Sequence, residues 1–310
     1  MVEPARRPWR PRVDASLLAL TFVWGINYAV IKVALRSFSP LAFNAIRFAL
    51  ATITIWAIIR VRGGALRLPR TGLVRLVLLG MLGNAGYQLI FIEGIARTSA
   101  ANAALIMACS PLLVAVLGAA LGRDHLSPPA WAGVAVAVAG VTLLLLANPS
   151  GTHTAGHLTG DALILVAAAA WALYSVLASE AMASASSLAG TLVTFLAGTP
   201  ILLLVALPSL LRQDWKAIDT GGWLGVAFSG VLAIGIGYLI WNSSLAAVGG
   251  ARTAVFSNLT PVVAAAFAWL TLGERWTGWQ MAGAALVLAG IATTRLSSAK
   301  ERSGAASHAA

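Results

Sequence analysis

Ten apolar stretches follow one another along the chain, and short polar breaks separate most of them. An α-helix needs about 20 apolar residues to cross the hydrocarbon core of a bilayer. The pattern therefore predicts an all-α integral membrane protein with ten transmembrane helices. The ten stretches are Ala15–Leu35, Leu41–Ile59, Leu73–Ile92, Ser99–Leu121, Ala130–Leu146, Asp161–Ala178, Leu188–Leu207, Gly222–Ser243, Ala251–Leu272 and Trp279–Leu296.

The ten stretches form two groups of five, divided by the polar segment Ala147–Gly160. Residues 15–146 are predicted to form a first five-helix repeat and residues 161–296 a second, with residues 1–14 and 297–310 as tails. Residues of the same type recur in the same order in both groups. The matching pairs include Trp24 and Trp171, Phe48 and Phe195, Gly80 and Gly230, Pro111 and Pro261, Gly133 and Gly283, and Gly140 and Gly290. Because five is odd, the second repeat must be inverted in the membrane relative to the first.

The composition supports a membrane protein and explains its charge. The chain is 59% hydrophobic and 10% charged, whereas a soluble domain carries about 25% charged residues. Most of its 21 lysines and arginines flank the helix ends that lie inside if the N-terminus is inside. The positive-inside rule then predicts that both termini are cytoplasmic. Since the net charge of +11 forms no single basic face, nucleic acid is excluded as a partner.

Signatures of catalysis and of cofactor binding are missing from the sequence. It contains no P-loop, no His-Glu-x-x-His and no Gly-x-Ser-x-Gly motif. His153 and His157 share a polar loop that offers no third metal ligand. We therefore expect no metal, no cofactor and no enzymatic activity.

Three ionisable residues stand out as candidates within the membrane, namely Lys32 in the first predicted helix, Arg47 in the second and Glu93 at the end of the third. Charges within a bilayer are costly and commonly functional. One interpretation is an ion cluster that gates the outer vestibule or contacts a charged group of a substrate. The other is that Lys32 and Arg47 extend to the interface while Glu93 pairs with Arg97, one turn further on. Glu93 is also the candidate residue for coupling to protons.

Polar and aromatic side chains occur within helices of both groups, where amides need partners. For any single residue, contact between helices is a sufficient explanation, but the set predicts a central substrate cavity. Its candidate lining residues are Trp24, Asn27, Tyr28, Tyr87, Gln88, Asn102, Trp171, Tyr174, Tyr238, Trp241, Asn242 and Asn258. Pro111 and Pro261 are expected to interrupt the fourth and ninth helices and to act as hinges.

Several of these residues resemble motifs of the EamA-type transporters of the drug/metabolite transporter superfamily. In the first repeat they are Trp24-Gly25-Ile26-Asn27, Lys32, Arg47, and Ala101 through Pro111. In the second they are Pro261, Leu272-Gly273-Glu274-Arg275, Gly283 and Gly290. Arg123-Asp124 departs from the Gly-Glu that the family often has at that point. The resemblance implies ten helices in an inverted repeat, cytoplasmic termini and a central cavity. It also implies transport of amino acids, other metabolites or drugs, often outward across the bacterial inner membrane.

The leading hypothesis is a secondary transporter that exports small metabolites such as amino acids by alternating access. The alternative within the same class is efflux of drugs or cationic compounds. Alternatives of another class are a lipid-modifying membrane enzyme, which needs paired acids, histidines or a metal, and a subunit without transport, which needs no cavity. The expected partners are a small-molecule substrate and membrane lipids, while the oligomeric state stays open.

Overall fold

A computed structural model describes residues 11–62, 72–120, 127–146, 155–183, 186–248, 253, 256–274 and 277–308. Every regular element in this part of the chain is helical. The α-helices are α1 (Pro11–Ala34), α2 (Pro40–Val61), α3 (Leu73–Gly80), α4 (Tyr87–Arg97), α5 (Ala100–Met107), α6 (Ser110–Ala120), α7 (Pro128–Leu146), α8 (Ala155–Ala183), α9 (Ser187–Arg212), α10 (Thr220–Ala227), α11 (Gly237–Val248), α12 (Thr260–Leu272) and α13 (Gly278–His308).

Seven continuous helical segments of the described chain are long and apolar enough to cross a membrane. They are Arg12–Ala34, Pro40–Val61, Leu73–Arg97, Ala100–Ala120, Gly156–Ala178, Ser187–Arg212 and Thr220–Val248. Pro128–Leu143 and Thr260–Leu272 are shorter apolar helices. Large apolar side chains such as Leu204, Leu270 and Trp131 are exposed, as expected for surfaces that face lipid. The chain is therefore a multi-pass membrane protein, and the full count of ten spans stays a prediction.

Two of the long segments contain a π-helical stretch, which the sequence analysis did not predict. Met81–Gly86 joins α3 to α4, and Phe228–Ile236 joins α10 to α11. A π-helical turn widens the backbone by one residue and is frequent at functional sites. Gly80 and Gly230 allow the neighbouring helices to approach these stretches closely. A Cβ atom at Gly80 would lie 2.3 Å from the Thr194 carbonyl oxygen, and one at Gly230 would lie 2.8 Å from that of Arg47.

Matching residues of the two halves contact each other in the middle of the bundle. The rings of Trp24 and Trp171 are 5.8 Å apart, and those of Phe48 and Phe195 are also 5.8 Å apart. The hydroxyl oxygens of Thr52 and Thr199 are 2.9 Å apart. Each pair is separated by the same number of residues in the chain, so these contacts lie where a local two-fold axis would relate the halves. The repeat boundaries and the inversion remain predictions.

The helix breaks fall at the two prolines that the sequence analysis named. Pro111 lies in the first turn of α6, directly after α5 ends at Met107. Pro261 lies in the first turn of α12 and follows a short 3-10 turn over Ser257–Leu259. Proline cannot donate a backbone hydrogen bond within a helix, which explains why both helices are interrupted one turn earlier. Their action as hinges stays a prediction.

The close pair α7 and α13 depends on glycines that face each other. A Cβ atom at Gly290 would lie 2.5 Å from the carbonyl oxygen of Gly133 and 2.5 Å from the backbone nitrogen of Ala137. A Cβ atom at Gly133 would in turn lie 2.7 Å from the Gly290 carbonyl oxygen. The two backbones are thus in direct contact, which small residues permit in membrane helices.

Gly290→Ala is expected to destabilise the protein by about 1–3 kcal/mol, because the added methyl group overlaps backbone atoms that must move apart. The measurement is the thermal melting temperature of the detergent-solubilised protein. Gly278→Ala, at the start of the same helix, is the matched control because its Cβ atom meets nothing within 4 Å. Equal melting temperatures for the two variants would contradict the close packing.

Candidate functional site

A cavity lies at the centre of the bundle, with a volume of about 80 Å³. One water occupies roughly 10–15 Å³ on this scale, so the cavity has room for several waters or a small polar group. Residues from both halves of the chain line it. They are Trp24, Asn27, Tyr28, Arg47, Tyr87, Gln88, Phe91, Ala104, Met107, Ala108, Ser110, Trp171, Ala233, Ile234, Tyr238, Ser257 and Thr260.

One wall of the cavity carries a buried arginine held by neutral oxygen atoms. The side chain of Arg47 is 1% exposed. Its Nε donates to Asn44 Oδ1 at 2.9 Å, its Nη2 to Gln88 Oε1 at 2.7 Å, and its Nη1 to Ser229 Oγ at 3.1 Å. Gln88 Nε2 donates in turn to the Tyr238 hydroxyl oxygen at 2.9 Å. These bonds fix the guanidinium and connect α2 to α4, to the second π-helical stretch and to α11.

An aromatic cluster centred on Trp171 contributes apolar surface to the cavity. Its ring lies 5.2 Å from that of Tyr87, 5.4 Å from that of Tyr238 and 5.5 Å from that of Trp241. The indole Nε1 of Trp24 donates to the carbonyl oxygen of Ala233 at 2.9 Å. That carbonyl belongs to the second π-helical stretch, so the irregular backbone orients an aromatic residue of the cavity.

Two buried polar atoms of lining residues lack a hydrogen-bond partner in the described structure. They are the side-chain oxygen of Asn27 and the hydroxyl oxygen of Thr260. An unpaired polar atom that is buried costs about 1–3 kcal/mol, more than a native site normally tolerates without a purpose. Both residues line the cavity, and because each oxygen has less than 1 Å² of accessible surface, a small side-chain rotation must accompany its contact with a ligand.

A second polar network, which we name the polar clamp, joins the turn between α4 and α5 to its neighbours. It comprises Lys32, Thr98, Asn102, Asp161, Glu274 and Gln280. The carboxylate of Asp161 accepts hydrogen bonds from the Thr98 hydroxyl group and, at 3.4 Å, from Asn102 Nδ2. Lys32 Nζ donates to the Thr98 carbonyl oxygen at 2.9 Å, and Gln280 Nε2 donates to Asn102 Oδ1 at 2.8 Å.

Glu274 completes the polar clamp by capping a helix of the other half. Its two carboxylate oxygens accept hydrogen bonds from the backbone nitrogens of Ala100 and Ala101, each at 3.0 Å. The start of α5 presents unpaired N–H groups and the positive end of the helix dipole, both of which favour a carboxylate. Gly273 enables this position, because its φ of 68° ends α12 with a left-handed turn.

The predicted cavity residues divide into two groups. Trp24, Asn27, Tyr28, Tyr87, Gln88, Trp171 and Tyr238 line the cavity. Tyr174, Asn242, Trp241 and Asn102 are buried outside its wall. The Tyr174 hydroxyl group donates to Asn242 Oδ1 at 3.1 Å, and Asn242 Nδ2 donates to Thr191 Oγ1 at 2.9 Å.

The side chains of these four residues contact other protein groups and do not line the cavity. Tyr174 and Asn242 satisfy each other, Trp241 packs against the rings of Trp24 and Trp171, and Asn102 belongs to the polar clamp. The side chain of Asn258 lies outside the described residues.

The three intramembrane charges lie in separate surroundings. Lys32 belongs to the polar clamp and Arg47 to the cavity wall, while Glu93 forms an ion pair with Arg97. In the part of the chain that the structure describes, no hydrogen bond or ion pair joins Lys32, Arg47 and Glu93 to one another. Glu93 therefore pairs with Arg97, as one interpretation expected. The three charged residues do not form a single ion cluster.

Sequence reasoning missed Asp161, Ser229 and Gln280. Asp161 opens the sixth apolar stretch, a position typical of an exposed helix end, yet its side chain is 3% exposed. Ser229 is a small hydroxyl residue of an apolar helix, with nothing in its neighbours to mark it. Only the repeat offered a signal, because Gly230 beside it matches Gly80.

A bundle of membrane-spanning helices that encloses a polar and aromatic cavity between two similar halves has the architecture of a transporter. The chain belongs to the EamA-like transporter family, whose model matches residues 12–146 and 158–296. The chain is therefore a multi-pass membrane transporter, and transport implies a small-molecule substrate.

Named relatives agree with this assignment. The chain is 30% identical over 279 residues to the "Uncharacterized transporter YyaM" of Bacillus subtilis, covering 89% of this chain and 91% of the relative. It is 31% identical over 290 residues to a "Probable amino-acid metabolite efflux pump" of Salmonella typhimurium, covering 90% and 94%. A solved crystal structure shares the fold with a TM-score of 0.70 at 21% identity, over 94% of this chain and 99% of that one.

Glu274→Gln is expected to loosen the start of α5, because one of the two carboxylate oxygens that accept from Ala100 and Ala101 is replaced by an amide nitrogen. Loss of a helix cap costs about 0.5–2 kcal/mol. Hydrogen–deuterium exchange should therefore accelerate at the amides of residues 100–102. The start of α10, capped by Asp219 through the Gly222 nitrogen at 2.7 Å, serves as the internal control. Unchanged exchange at residues 100–102 would contradict the cap.

Proposed function

We propose that the protein is a secondary transporter that exports small metabolites such as amino acids across the bacterial inner membrane. The observation that carries this proposal is the central cavity, which both halves line with polar and aromatic side chains. The name of the Salmonella typhimurium relative supports the substrate class and the outward direction. The sequence shows no P-loop, which supports a transporter driven by gradients rather than by ATP bound to this chain.

The mechanism we infer is alternating access around this cavity. In the proposed topology, residues 15–146 and 161–296 are inverted five-helix repeats, together supply ten spans, and leave both termini in the cytoplasm. The polar clamp then lies at the outer end of the bundle and represents a closed outer side. Opening that side requires Glu274 to leave the start of α5 and Asp161 to release Thr98 and Asn102.

The helix breaks support this movement. Pro111 and Pro261 lie in the first turns of α6 and α12, where each removes one backbone hydrogen bond to the preceding turn and so lowers the cost of tilting the α5 and 3-10 portions before them. We therefore propose them as the hinges. Coupling to protons stays a proposal for Glu93, whose carboxylate is paired with Arg97 away from the cavity wall.

Purified protein in liposomes is expected to move labelled amino acids, and Ala108→Leu is expected to reduce this flux to background because Ala108 lines the small cavity. The measurement is counterflow of labelled amino acids, metabolites and organic cations. Ala135→Leu is the matched control, since Ala135 is exposed on α7. Folded protein that moves none of these compounds would favour a membrane subunit without transport of its own.

The topology makes a separate prediction about accessibility. In a Cys109→Ala background, cysteine at Lys216 should react with an impermeant maleimide from outside intact cells. Cysteine at Arg62 should react only after the membrane is opened. Both positions are exposed, and Cys109 is the one native cysteine. Labelling of both positions from the same side would contradict the proposed arrangement.

A further inference from the structure

Arg47 is a buried positive charge that no described acidic residue neutralises. Its guanidinium has three neutral partners, Asn44, Gln88 and Ser229, and packs 5.3 Å from the centre of the Phe43 ring. Within the described chain, no carboxylate oxygen lies within the 4.0 Å of an ion pair. Burial of an unpaired ion carries a large free-energy cost, so an anion that enters the cavity would interact with Arg47 especially strongly.

The guanidinium also has capacity left for such an anion. It presents five N–H donors in a planar fork, and the protein uses three of them. Gln88 holds one arm of the fork in place and is itself held by the Tyr238 hydroxyl group. A fork fixed in this way is suited to a carboxylate, because little further ordering is needed on binding.

We propose that Arg47 binds the carboxylate of the transported molecule and thereby selects small monocarboxylates, including zwitterionic amino acids, against organic cations. This inference rests on the proposed function, because it names the substrate class of the same cavity. A single positive charge matches a monoanion. A dianionic phosphate group would bring a second negative charge into the cavity, where the described lining residues include no second cation.

Two further lining residues carry acceptors for the ammonium group of an amino acid. The oxygens of Asn27 and Thr260 are buried and unpaired, and both residues line the cavity. They belong to α1 and α12, whereas Arg47 and its partners belong to α2, α4 and the second π-helical stretch. The indole faces of Trp24 and Trp171 add a surface that attracts a cationic group or packs against an apolar side chain.

Among the described lining residues, the proposed anion site has no counterpart from the second half. The residue of the second half that matches Arg47 is Thr194, as the equivalent contacts of Gly230 and Gly80 show. Its hydroxyl group is buried and donates to the Thr191 carbonyl oxygen at 2.8 Å. The positive charge is therefore present in the first half and replaced by a hydroxyl group in the second. A substrate that binds Arg47 through its carboxylate consequently has one orientation.

The test compares acids with matched amides by isothermal titration calorimetry on the full chain in detergent. L-Alanine and L-serine, which are small enough for the cavity, are expected to bind about 10- to 100-fold more tightly than L-alaninamide and L-serinamide, the range given by one charge-assisted hydrogen-bond pair. Tetraethylammonium should not compete. Amides that bind as tightly as the acids, or acids that do not bind, would overturn the proposal.

Variants assign the effect to Arg47. Arg47→Gln should remove the preference for acids, weakening binding of the acids by about 10- to 100-fold relative to any change in binding of the amides. Arg60→Gln is the control, because Arg60 lies on the same helix but is exposed. Arg47→Lys keeps the charge and should retain part of the preference for acids. This variant provides the test of the carboxylate site if Arg47→Gln does not fold. Unchanged acid binding in Arg47→Gln would assign the preference to other residues.

The same probes separate this inference from the proposed function. Acid binding that depends on Arg47, without flux in liposomes, would support the carboxylate site and contradict transport by this chain alone. Flux of cations and amides without flux of the acids would support transport and contradict the carboxylate site.

Discussion

The hydrogen-bond requirement of a buried polar group in a membrane governs this structure more than any other constraint, and Arg47 is its central case. Away from water, a guanidinium must find acceptors inside the protein. Arg47 finds them on its own helix, on α4 and on the π-helical stretch of the other half. Three elements that are distant in the chain are thereby held in one arrangement, and the wall of the cavity is built around their meeting point. The hydrogen bonds that satisfy the guanidinium group also hold Arg47 in the wall of the cavity.

Close contact between backbones makes that arrangement possible. Helices in lipid gain little from burial of apolar surface against one another and rely on packing and hydrogen bonds instead. Gly230 lets the second π-helical stretch lie against the backbone of Arg47, which brings Ser229 within reach of the guanidinium. Gly80 makes the same contact with Thr194 in the other half. The duplicated glycines therefore preserve the scaffold in both halves, while the residues that they contact differ, because Arg47 lines the cavity and Thr194 does not.

Apolar periodicity predicted much of the fold, since segment length and composition decide where a helix can cross a bilayer. It also placed Trp24, Tyr87 and Trp171 at the cavity, because aromatic and polar residues in lipid-length helices have few other places to go. It did not predict the π-helical stretches, which arise from how helices pack and leave no composition signal. The partners of a polar residue were equally hidden. Asn102 and Gln88 are both amides within apolar segments, yet one joins the polar clamp and the other orients Arg47. Only tertiary contacts distinguish them.

The polar clamp and the cavity make opposite use of polar groups, and this difference has a mechanical consequence. In the polar clamp, Asp161 and Glu274 have protein partners for both of their oxygens, so the closed arrangement is satisfied without a ligand. In the cavity, the side-chain oxygens of Asn27 and Thr260 have no partner and Arg47 has no counter-charge in the described chain. A substrate that satisfies these groups stabilises whichever arrangement holds them closest together. A bound molecule can shift the balance between two arrangements only through such differential contacts. In the alternating access that we propose, the energetic drive for conformational change thus resides in the unpaired groups of the cavity, whereas the polar clamp sets the stability of the closed outer end.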